Sequence, residues 1–204
     1  MPGAWHSAYV NIVHMKAKAT RSYHHGDLRS ALLLSANEML ETHEPLSLRA
    51  LARRAGVSPT ALYRHFEDKE ALESALAVQG LRDLFAELTA GKEPRTGKDV
   101  TELGVRYVRF ALRRPQLFRL MFGRPCDDQD DERVLAAAAL HDHLAVLMAR
   151  IFPNAKADDL ATAGWGLAHG LAFLHLDGKL PNDKPRAIDR RVRTAYAAVL
   201  PITD

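Results

Sequence analysis

Five side chains with hydrogen-bond donors lie within ten positions of one another: Thr60, Tyr63, Arg64, His65 and Lys69. A guanidinium can bind guanine bidentately in the major groove, and a threonine can contact a base edge or a thymine methyl group. Tyr, His and Lys side chains suit the phosphate oxygens of a nucleic-acid backbone. These residues therefore predict a nucleic-acid-binding surface, on which Arg64 and Thr60 read sequence and the other three bind phosphates.

The elements that must position these side chains are two short helices separated by a glycine. Ser47 can cap the first helix, whose apolar residues recur at helical spacing over 48–55. Gly56 suits the left-handed residue at which a helix ends sharply. Ser58 can cap the second helix, with Pro59 at the first helical position, where a missing N–H costs nothing. The pattern predicts a sharp turn between two helices.

The second helix must be held by its neighbours, because about eight residues are too few for a helix that is stable alone. Leu62 and Phe66, four residues apart, predict the inward face, so that Thr60, Tyr63 and Arg64 face outward. This is the arrangement of a helix-turn-helix, in which the second helix enters the major groove. The alternative is a tight turn between two core helices, with the polar residues merely solvated.

The remainder of the chain also has helical periodicity, and no alternating Val/Ile/Thr-rich strand or internal repeat is found. An all-α fold follows. The predicted helices cover about 27–42, 69–90, 98–113, 115–123, 130–152, 157–177 and 186–200, in addition to the two helices around Gly56.

Two N-terminal segments, YHHGDLRSALL (23–33) and SLRALARRAGVSPTALYRHFEDKEAL (47–72), resemble the DNA-binding region of the TetR family of transcriptional repressors. Phe66, Lys69 and Leu72 match the segment at which a long fourth helix begins in that family. The resemblance implies a flexible arm at 1–22, a three-helix helix-turn-helix DNA-binding domain at 23–80, and a homodimer on a palindromic double-stranded operator. One departure is that neither Ser47 nor Ser58 has the Glu or Gln three residues later that completes a capping box.

Matched by position, the resemblance also assigns the DNA contacts. Residues that would face bases or the adjacent backbone are Arg49, Thr60, Ala61 and Arg64, on a surface that includes Ser58 and Pro59. Residues that would bind phosphates are Ser47, Tyr63, His65 and Lys69. The basic arm of Lys16, Lys18 and Arg21 would lie beside the neighbouring groove.

In the C-terminal half, FALRRPQLFRLMFG (110–123) and GWGLAHGLAFLHLDGKL (164–180) resemble one class of TetR-family C-terminal domain, with a Trp followed four residues later by His-Gly. The resemblance implies that residues 81–204 bind an unknown small-molecule effector and dimerise through the last two helices. Aromatic and Met side chains with a few polar groups suit an apolar pocket, although residues of these types at helical spacing more often belong to a core. The candidate ligand-binding residues are Tyr107, Phe110, Phe118, Met121, Phe122, Trp165 and His169.

The helix at 157–177 is unusually rich in small residues, which are Gly164, Gly166, Ala168, Gly170 and Ala172. A glycine inside a helix costs up to about 1 kcal/mol relative to alanine, so close helix packing must offset that cost. Packing across a two-fold interface and packing within the monomer both remain open from the residues alone.

Composition favours a globular cytoplasmic protein. Of 204 residues, 47% are hydrophobic and 26% charged, and the 28 Lys and Arg residues barely exceed the 25 Asp and Glu. DNA binding must therefore depend on the placement of charge. No apolar run approaches the roughly 20 residues of a membrane span, and the first fourteen residues lack the basic start of a secretory signal. The single cysteine, Cys126, excludes an intrachain disulfide and fits a reducing compartment.

No cofactor, metal or catalytic site is predicted. His141-Asp142-His143 is the strongest metal candidate, but side chains two apart on a helix do not share a face. No phosphate-binding glycine loop or nucleophile motif is present. A helical enzyme and a protein-interaction module without DNA binding remain as alternatives.

Overall fold

The computed structural model describes residues 25–123, 131–182 and 184–201, without the side chains of residues 25–27, so the predicted basic arm and Cys126 lie outside the described residues. This part of the chain is all-α and contains no strand. Its helices are α1 (His25–Glu41), α2 (Leu48–Ala55), α3 (Pro59–Tyr63), α4 (Lys69–Thr89), α5 (Gly97–Arg113), α6 (Pro115–Phe122), α7 (Glu132–Ile151), α8 (Ala157–Leu176) and α9 (Pro185–Val199).

The helices lie close to their predicted positions, with two differences. Helix α1 begins at His25, one or two residues before the two residues that the sequence offers as its cap, Gly26 and Asp27. Helix α3 has five residues instead of about eight, and Arg64 is its C-terminal cap. The physical reason is that Asp68 already caps α4, accepting the Ala71 N–H at 2.8 Å, so the chain must turn between the two helices.

Two hydrophobic clusters organise the helices. The smaller is formed by α1, α2, α3 and the start of α4, and the larger by the rest of α4 together with α5 to α9. Helix α4 contributes to both, with Leu72 and Leu76 in the smaller cluster and Leu81, Leu84 and Leu88 in the larger. This division supports a domain boundary near residue 80, which we propose on this basis.

A carboxylate of the smaller unit caps a helix of the larger one. Helix α6 begins after Arg114, which provides no side-chain cap. Glu41, at the end of α1, accepts the N–H groups of Leu117 at 3.0 Å and Gln116 at 3.4 Å. The side-chain nitrogen of Gln116, Nε2, also lies 3.0 Å from the His43 Nε2 atom. Because a carboxylate at a helix N-terminus satisfies free donors and the helix dipole, this contact joins α1 to α6.

Helix α7 contradicts the prediction that no apolar run is long enough to span a membrane. In the described part of the chain it is one helix that is long and apolar enough to cross a membrane by length and composition. A mostly buried core helix passes the same test, whereas 22% of the apolar window of α7 is buried, where the helix packs against α4 and α8. Leu135 and Val146 are exposed on its outer side. Length and composition alone are weak evidence for a membrane.

Candidate functional site

The turn before α3 has the geometry that its residues predict. Gly56 has φ 68° and ψ 28°, a left-handed conformation that glycine adopts without steric cost. The Ser47 hydroxyl oxygen accepts the Ala50 N–H at 3.2 Å and caps α2, and the Ser58 hydroxyl oxygen accepts the Ala61 N–H at 3.2 Å and caps α3. These caps fix where both helices begin and thereby set the direction of α3.

One face of α3 is packed against the smaller hydrophobic cluster, and the opposite face is exposed. Leu62 and Phe66 are fully buried, and the Arg29 guanidinium lies 5.3 Å from the centre of the Phe66 ring. Thr60, Tyr63 and Arg64 are exposed, and Tyr63 is 51% exposed, a large fraction for an aromatic side chain. The structure therefore gathers the predicted base-reading residues on one outward surface.

The other predicted DNA contacts surround this surface with different degrees of exposure. Arg49, Ser47 and Lys69 are exposed, as are Ser58 and Pro59, whereas Ala61 and His65 are half-buried. The Lys69 ammonium pairs with Glu73 at 3.1 Å. Because the Lys69 side chain is 57% exposed, it stays accessible to a phosphate in spite of this pair.

The start of α4 carries its own cap. The Asp68 carboxylate accepts the Ala71 N–H and places a negative charge at that helix end. This charge disfavours a phosphate at the helix N-terminus, so the Lys69 side chain is the phosphate contact that we continue to predict at this position.

Helix α2 carries a further exposed arginine that was not among the predicted DNA contacts. Arg53 is exposed and lies four residues after Arg49, so both lie on the same face of α2. Its neighbour Arg54 is bound instead to Glu44 at 2.7 Å and to Glu38 at 3.1 Å. The spacing of Arg49 and Arg53 was the available signal.

A chain of hydrogen bonds runs through the predicted ligand-binding residues. The Trp165 Nε1–H donates to the Tyr107 hydroxyl oxygen at 3.1 Å, and that hydroxyl lies 3.0 Å from His169 Nδ1. Because the Tyr107 oxygen accepts from Trp165, its own proton can be donated to a neutral His169. Burial raises the pKa of the Tyr107 hydroxyl and lowers the pKa of His169, and both shifts keep this neutral arrangement.

Aromatic rings surround His169. The ring centroids of Phe122, Phe173 and Phe118 lie 4.6, 4.9 and 5.7 Å from that of His169. Phe173 was not predicted, although it lies four residues after His169 on the same helix. The structure thus brings together Tyr107, Phe118, Phe122, Trp165 and His169, which with Phe173 we name the aromatic cluster.

Two predicted ligand residues lie elsewhere in the core. Phe110 is buried beneath Arg114, whose guanidinium carbon lies 5.4 Å from the ring centre. Met121 is buried against Gly80 of α4. The cavity beside Tyr107 and Trp165 measures only about 20 Å³, far below the roughly 300–1,000 Å³ of ligand pockets. In this conformation the aromatic cluster is packed, so a ligand must open it to enter.

The small residues of α8 divide between two faces. Gly164, Ala168 and Ala172, spaced by four, are buried against the rest of the monomer. An added Cβ at Gly164 would meet the Met148 methyl carbon at 3.3 Å. Gly166 and Gly170 are exposed, and an added Cβ at either would meet nothing within 4 Å. Packing within the monomer therefore explains one face and leaves the other open.

The two histidines of the metal candidate turn toward different helices. His141 Nε2 lies 2.9 Å from the Thr162 hydroxyl on α8. The His143 ring packs edge-on against Phe85 of α4, with centroids 5.3 Å apart. Among the described residues no group of three His, Cys, Asp or Glu side chains could hold a metal ion.

His175 predicts a loss of stability in acid. It is buried, and burial together with the Arg191 guanidinium, 3.4 Å from His175 Nε2, lowers its pKa. The unfolded chain, with a histidine pKa of about 6.5, then binds the proton more readily, so stability falls as the pH drops below about 6.5. We expect His175→Gln to reduce the loss of the unfolding midpoint temperature between about pH 7 and pH 5.

The control for this measurement is His143→Gln, because His143 is exposed. It is expected to keep the acid sensitivity of the unchanged protein. An equal difference in midpoint between His175→Gln and the unchanged protein at both pH values would contradict the assignment.

Two family models match this chain. Residues 41–76 match the model described as bacterial regulatory proteins, tetR family, and residues 100–199 match the tetracyclin repressor-like C-terminal domain. An uncharacterized HTH-type transcriptional regulator of Bacillus subtilis (strain 168), YobS, is 35% identical over 71 residues. That match spans 34% of this chain and 37% of the Bacillus protein.

Solved structures share the whole fold. A protein of unknown function from Rhodococcus sp. RHA1 is 31% identical, with a TM-score of 0.74 over 89% of this chain and 99% of its own. A regulatory protein of the tetR family from Rhodococcus RHA1 has a TM-score of 0.66 at 16% identity, over 86% of this chain and 98% of its own. The segments that the two family models match, 41–76 and 100–199, include the helix-turn-helix and the aromatic cluster. This chain belongs to the TetR family of bacterial regulatory proteins.

Proposed function

We propose that this chain is a DNA-binding transcriptional regulator of the cytoplasm that binds a palindromic operator as a homodimer and releases it when a small molecule binds the C-terminal half. The observation that carries the proposal is the outward surface of α3. Thr60, Tyr63 and Arg64 are exposed there while Leu62 and Phe66 fix the helix from below. In the proposed complex Arg64 and Thr60 read bases, and Arg49, Tyr63 and Lys69 bind the backbone.

A second copy of the chain is proposed to cover the open face of α8 and the adjoining part of α9. Gly166 and Gly170 allow another helix to approach closely, and Leu174 and Val199 expose apolar surface nearby. A two-fold axis through this face would present two α3 helices to DNA. They must lie about 34–36 Å apart to enter successive major grooves.

The aromatic cluster is the proposed effector site. It combines large apolar rings with the polar atoms of Tyr107, Trp165 and His169, which is the composition of small-molecule pockets. A TetR from Acinetobacter baumannii AYE, similar in fold at 18% identity and a TM-score of 0.57, was solved in complex with minocycline. A ligand that opens the packed cluster and alters the spacing of the α3 helices must lower operator affinity by linkage.

Removing the phosphate contacts tests the DNA-binding proposal. We expect Lys69→Ala to weaken binding to the DNA upstream of the protein's own gene by at least about tenfold. Because the proposed dimer carries two copies of Lys69, we also expect the salt slope of binding to fall by about two. Tyr63→Ala is expected to weaken binding while leaving the slope unchanged, because tyrosine carries no charge. The affinity and its salt slope are measured for each variant by fluorescence anisotropy at several salt concentrations.

The matched control is Lys156→Ala, since Lys156 is an exposed lysine at the start of α8, away from α3. It is expected to change neither affinity nor slope. Unchanged affinity and unchanged salt slope in both Tyr63→Ala and Lys69→Ala would disprove the roles of these residues as phosphate contacts. A helical enzyme or a pure interaction module would show no salt-dependent DNA binding at all.

A further inference from the structure

Helix α6 lies between the aromatic cluster and the DNA-binding unit. Two of its residues, Phe118 and Phe122, belong to the aromatic cluster. The N–H group of Leu117, the residue directly before Phe118, donates to the Glu41 carboxylate of α1 at 3.0 Å. Any displacement of α6 that makes room beside the Phe118 ring therefore also moves the donor of this hydrogen bond.

The contact between Glu41 and α6 is sensitive to small movements. Hydrogen bonds from N–H to oxygen ordinarily measure about 2.7–3.2 Å, and the two N–H groups that Glu41 accepts lie at 3.0 and 3.4 Å. A shift of α6 away from α1 by about 1 Å would take both beyond this range. Because Arg114 provides no side-chain cap, the first turn of α6 would then lose the acceptor that it has here.

The end of α1 is held in a conformation that favours glycine. His43 has φ 59°, and in the part of the chain that the structure describes it is the one non-glycine residue with a positive φ. The N–H groups of His43 and Glu44 close α1 on the carbonyl oxygens of Leu40 and Met39, at 3.2 and 2.9 Å, a closure that glycine usually provides. The His43 ring lies against Gln116 of α6. Strained residues of this kind cluster at switch regions, and this one lies at the junction of α1 with α6.

Helix α1 in turn contacts the helix that carries the predicted base-reading residues. Leu32 of α1 and Leu62 of α3 are buried in the same smaller cluster. The Arg29 guanidinium of α1 lies 5.3 Å from the centre of the Phe66 ring, just beyond the end of α3. Contacts through α1 thus connect α6 to α3. Helix α4, which contributes to both clusters, offers a second route.

We propose that Glu41 is the positioning residue through which the aromatic cluster regulates DNA binding. Its contact with the first turn of α6 is made while the cluster is packed and breaks when a ligand forces α6 outward. With the contact made, α1 and α3 keep the arrangement seen here, and with it broken they are released from α6. The proposal rests on the proposed function, because it names the contact that carries the regulation of the effector site.

A double-mutant cycle separates the route through Glu41 from the route through α4. Phe118→Trp places a larger ring at a fully buried position of the cluster and stands in for a ligand that forces the cluster open. We expect it to lower the affinity of the full chain for the DNA upstream of its own gene at least about tenfold, but less than about twofold when Glu41→Ala is also present. Equal losses in the two backgrounds, or no loss in either, would overturn the proposal.

Three further variants support the cycle. Glu38→Ala removes another glutamate of α1, whose carboxylate binds Arg54 of α2, and is expected to leave the effect of Phe118→Trp intact. Glu41→Gln keeps an oxygen that can accept an N–H group and is expected to restore part of the effect that Glu41→Ala removes. If Phe118→Trp fails to fold, Phe122→Trp, at a partly exposed ring of the same cluster, replaces it. Loss of the effect in Glu38→Ala as complete as in Glu41→Ala would contradict the assignment to Glu41.

Amide hydrogen exchange of the full chain without DNA tests the contact independently of operator binding. In Phe118→Trp we expect the Leu117 amide to exchange at least about tenfold faster. The control is the Asp99 amide in the first turn of α5, which is capped locally by Thr96 and is expected to keep its rate. Unchanged exchange at Leu117 would overturn the proposal. Faster exchange at Leu117 in a chain that binds no operator would support the breaking of the contact and contradict the proposed function instead.

Discussion

Replacing Gly170 by leucine is expected to convert the proposed dimer into a monomer. Gly170 has open space around its added Cβ in the monomer, so a side chain there does not disturb the fold of a single chain. In the dimer the same side chain would lie between helices that approach closely across the two-fold axis. Overpacking of this kind costs about 1–3 kcal/mol per site, and the site occurs twice, so we expect dimer affinity to fall at least about thirtyfold.

The measurement is mass by light scattering over a range of concentrations, together with operator affinity. Operator binding is expected to weaken with dimerisation, because a monomer presents one α3 instead of two. Thermal unfolding of the variant at low concentration should show an intact monomer fold. A monomeric mass for the unchanged protein at micromolar concentration would contradict the dimer itself.

Two other glycine substitutions are the controls for Gly170→Leu. In Gly164→Leu the new side chain collides with Met148 inside the monomer, so stability falls at every protein concentration. In Gly170→Ala the better helix propensity of alanine would raise stability by up to about 1 kcal/mol if the chain were a monomer. A stabilised Gly170→Ala variant with unchanged mass would show that this face is not an interface.

Replacing Phe66 by alanine is expected to unfold the DNA-binding unit selectively. Phe66 is fully buried in the smaller cluster and holds the end of α3 against α1. Truncation of a buried phenylalanine costs about 3–5 kcal/mol, a large share of the stability of a small unit. Phe66 is not part of the larger cluster. We expect two separated unfolding transitions by circular dichroism, loss of operator binding, and a retained dimer mass.

Phe66→Leu is the graded control, because leucine fills part of the same space and should lower the first transition only slightly. A single transition that moves as a whole in Phe66→Ala would show that the two clusters unfold as one unit. That result would contradict the boundary proposed near residue 80.

The local features of this fold were predictable because each is specified by a few neighbouring residues. The caps at Ser47 and Ser58 and the left-handed Gly56 agree with the structure, since capping and turn chemistry act over three or four positions. The length of α3 was overestimated because its end is set by Asp68, whose role as the cap of α4 competes with continuation of α3.

Features that depend on contacts between distant residues were not predictable. Phe173 follows His169 by one helical turn, and only the placement of α6 shows that both rings meet Phe118. The two faces of α8 differ by the position of Met148, which lies in another helix. Periodicity assigns such residues to a helix face but does not identify their partners.

The carboxylate of Glu41 also makes the first turn of α6 depend on the position of α1. It caps a helix that starts about 75 positions later, so the first turn of α6 is complete only when α1 is already in place. A ribosome makes the N-terminal helices first, and the α6 segment therefore emerges with its cap already presented by a folded neighbour. The same dependence means that a chain whose first helices are cut away begins α6 with free N–H groups. Such a fragment should have a frayed α6, detectable as fast amide hydrogen exchange at Gln116 and Leu117.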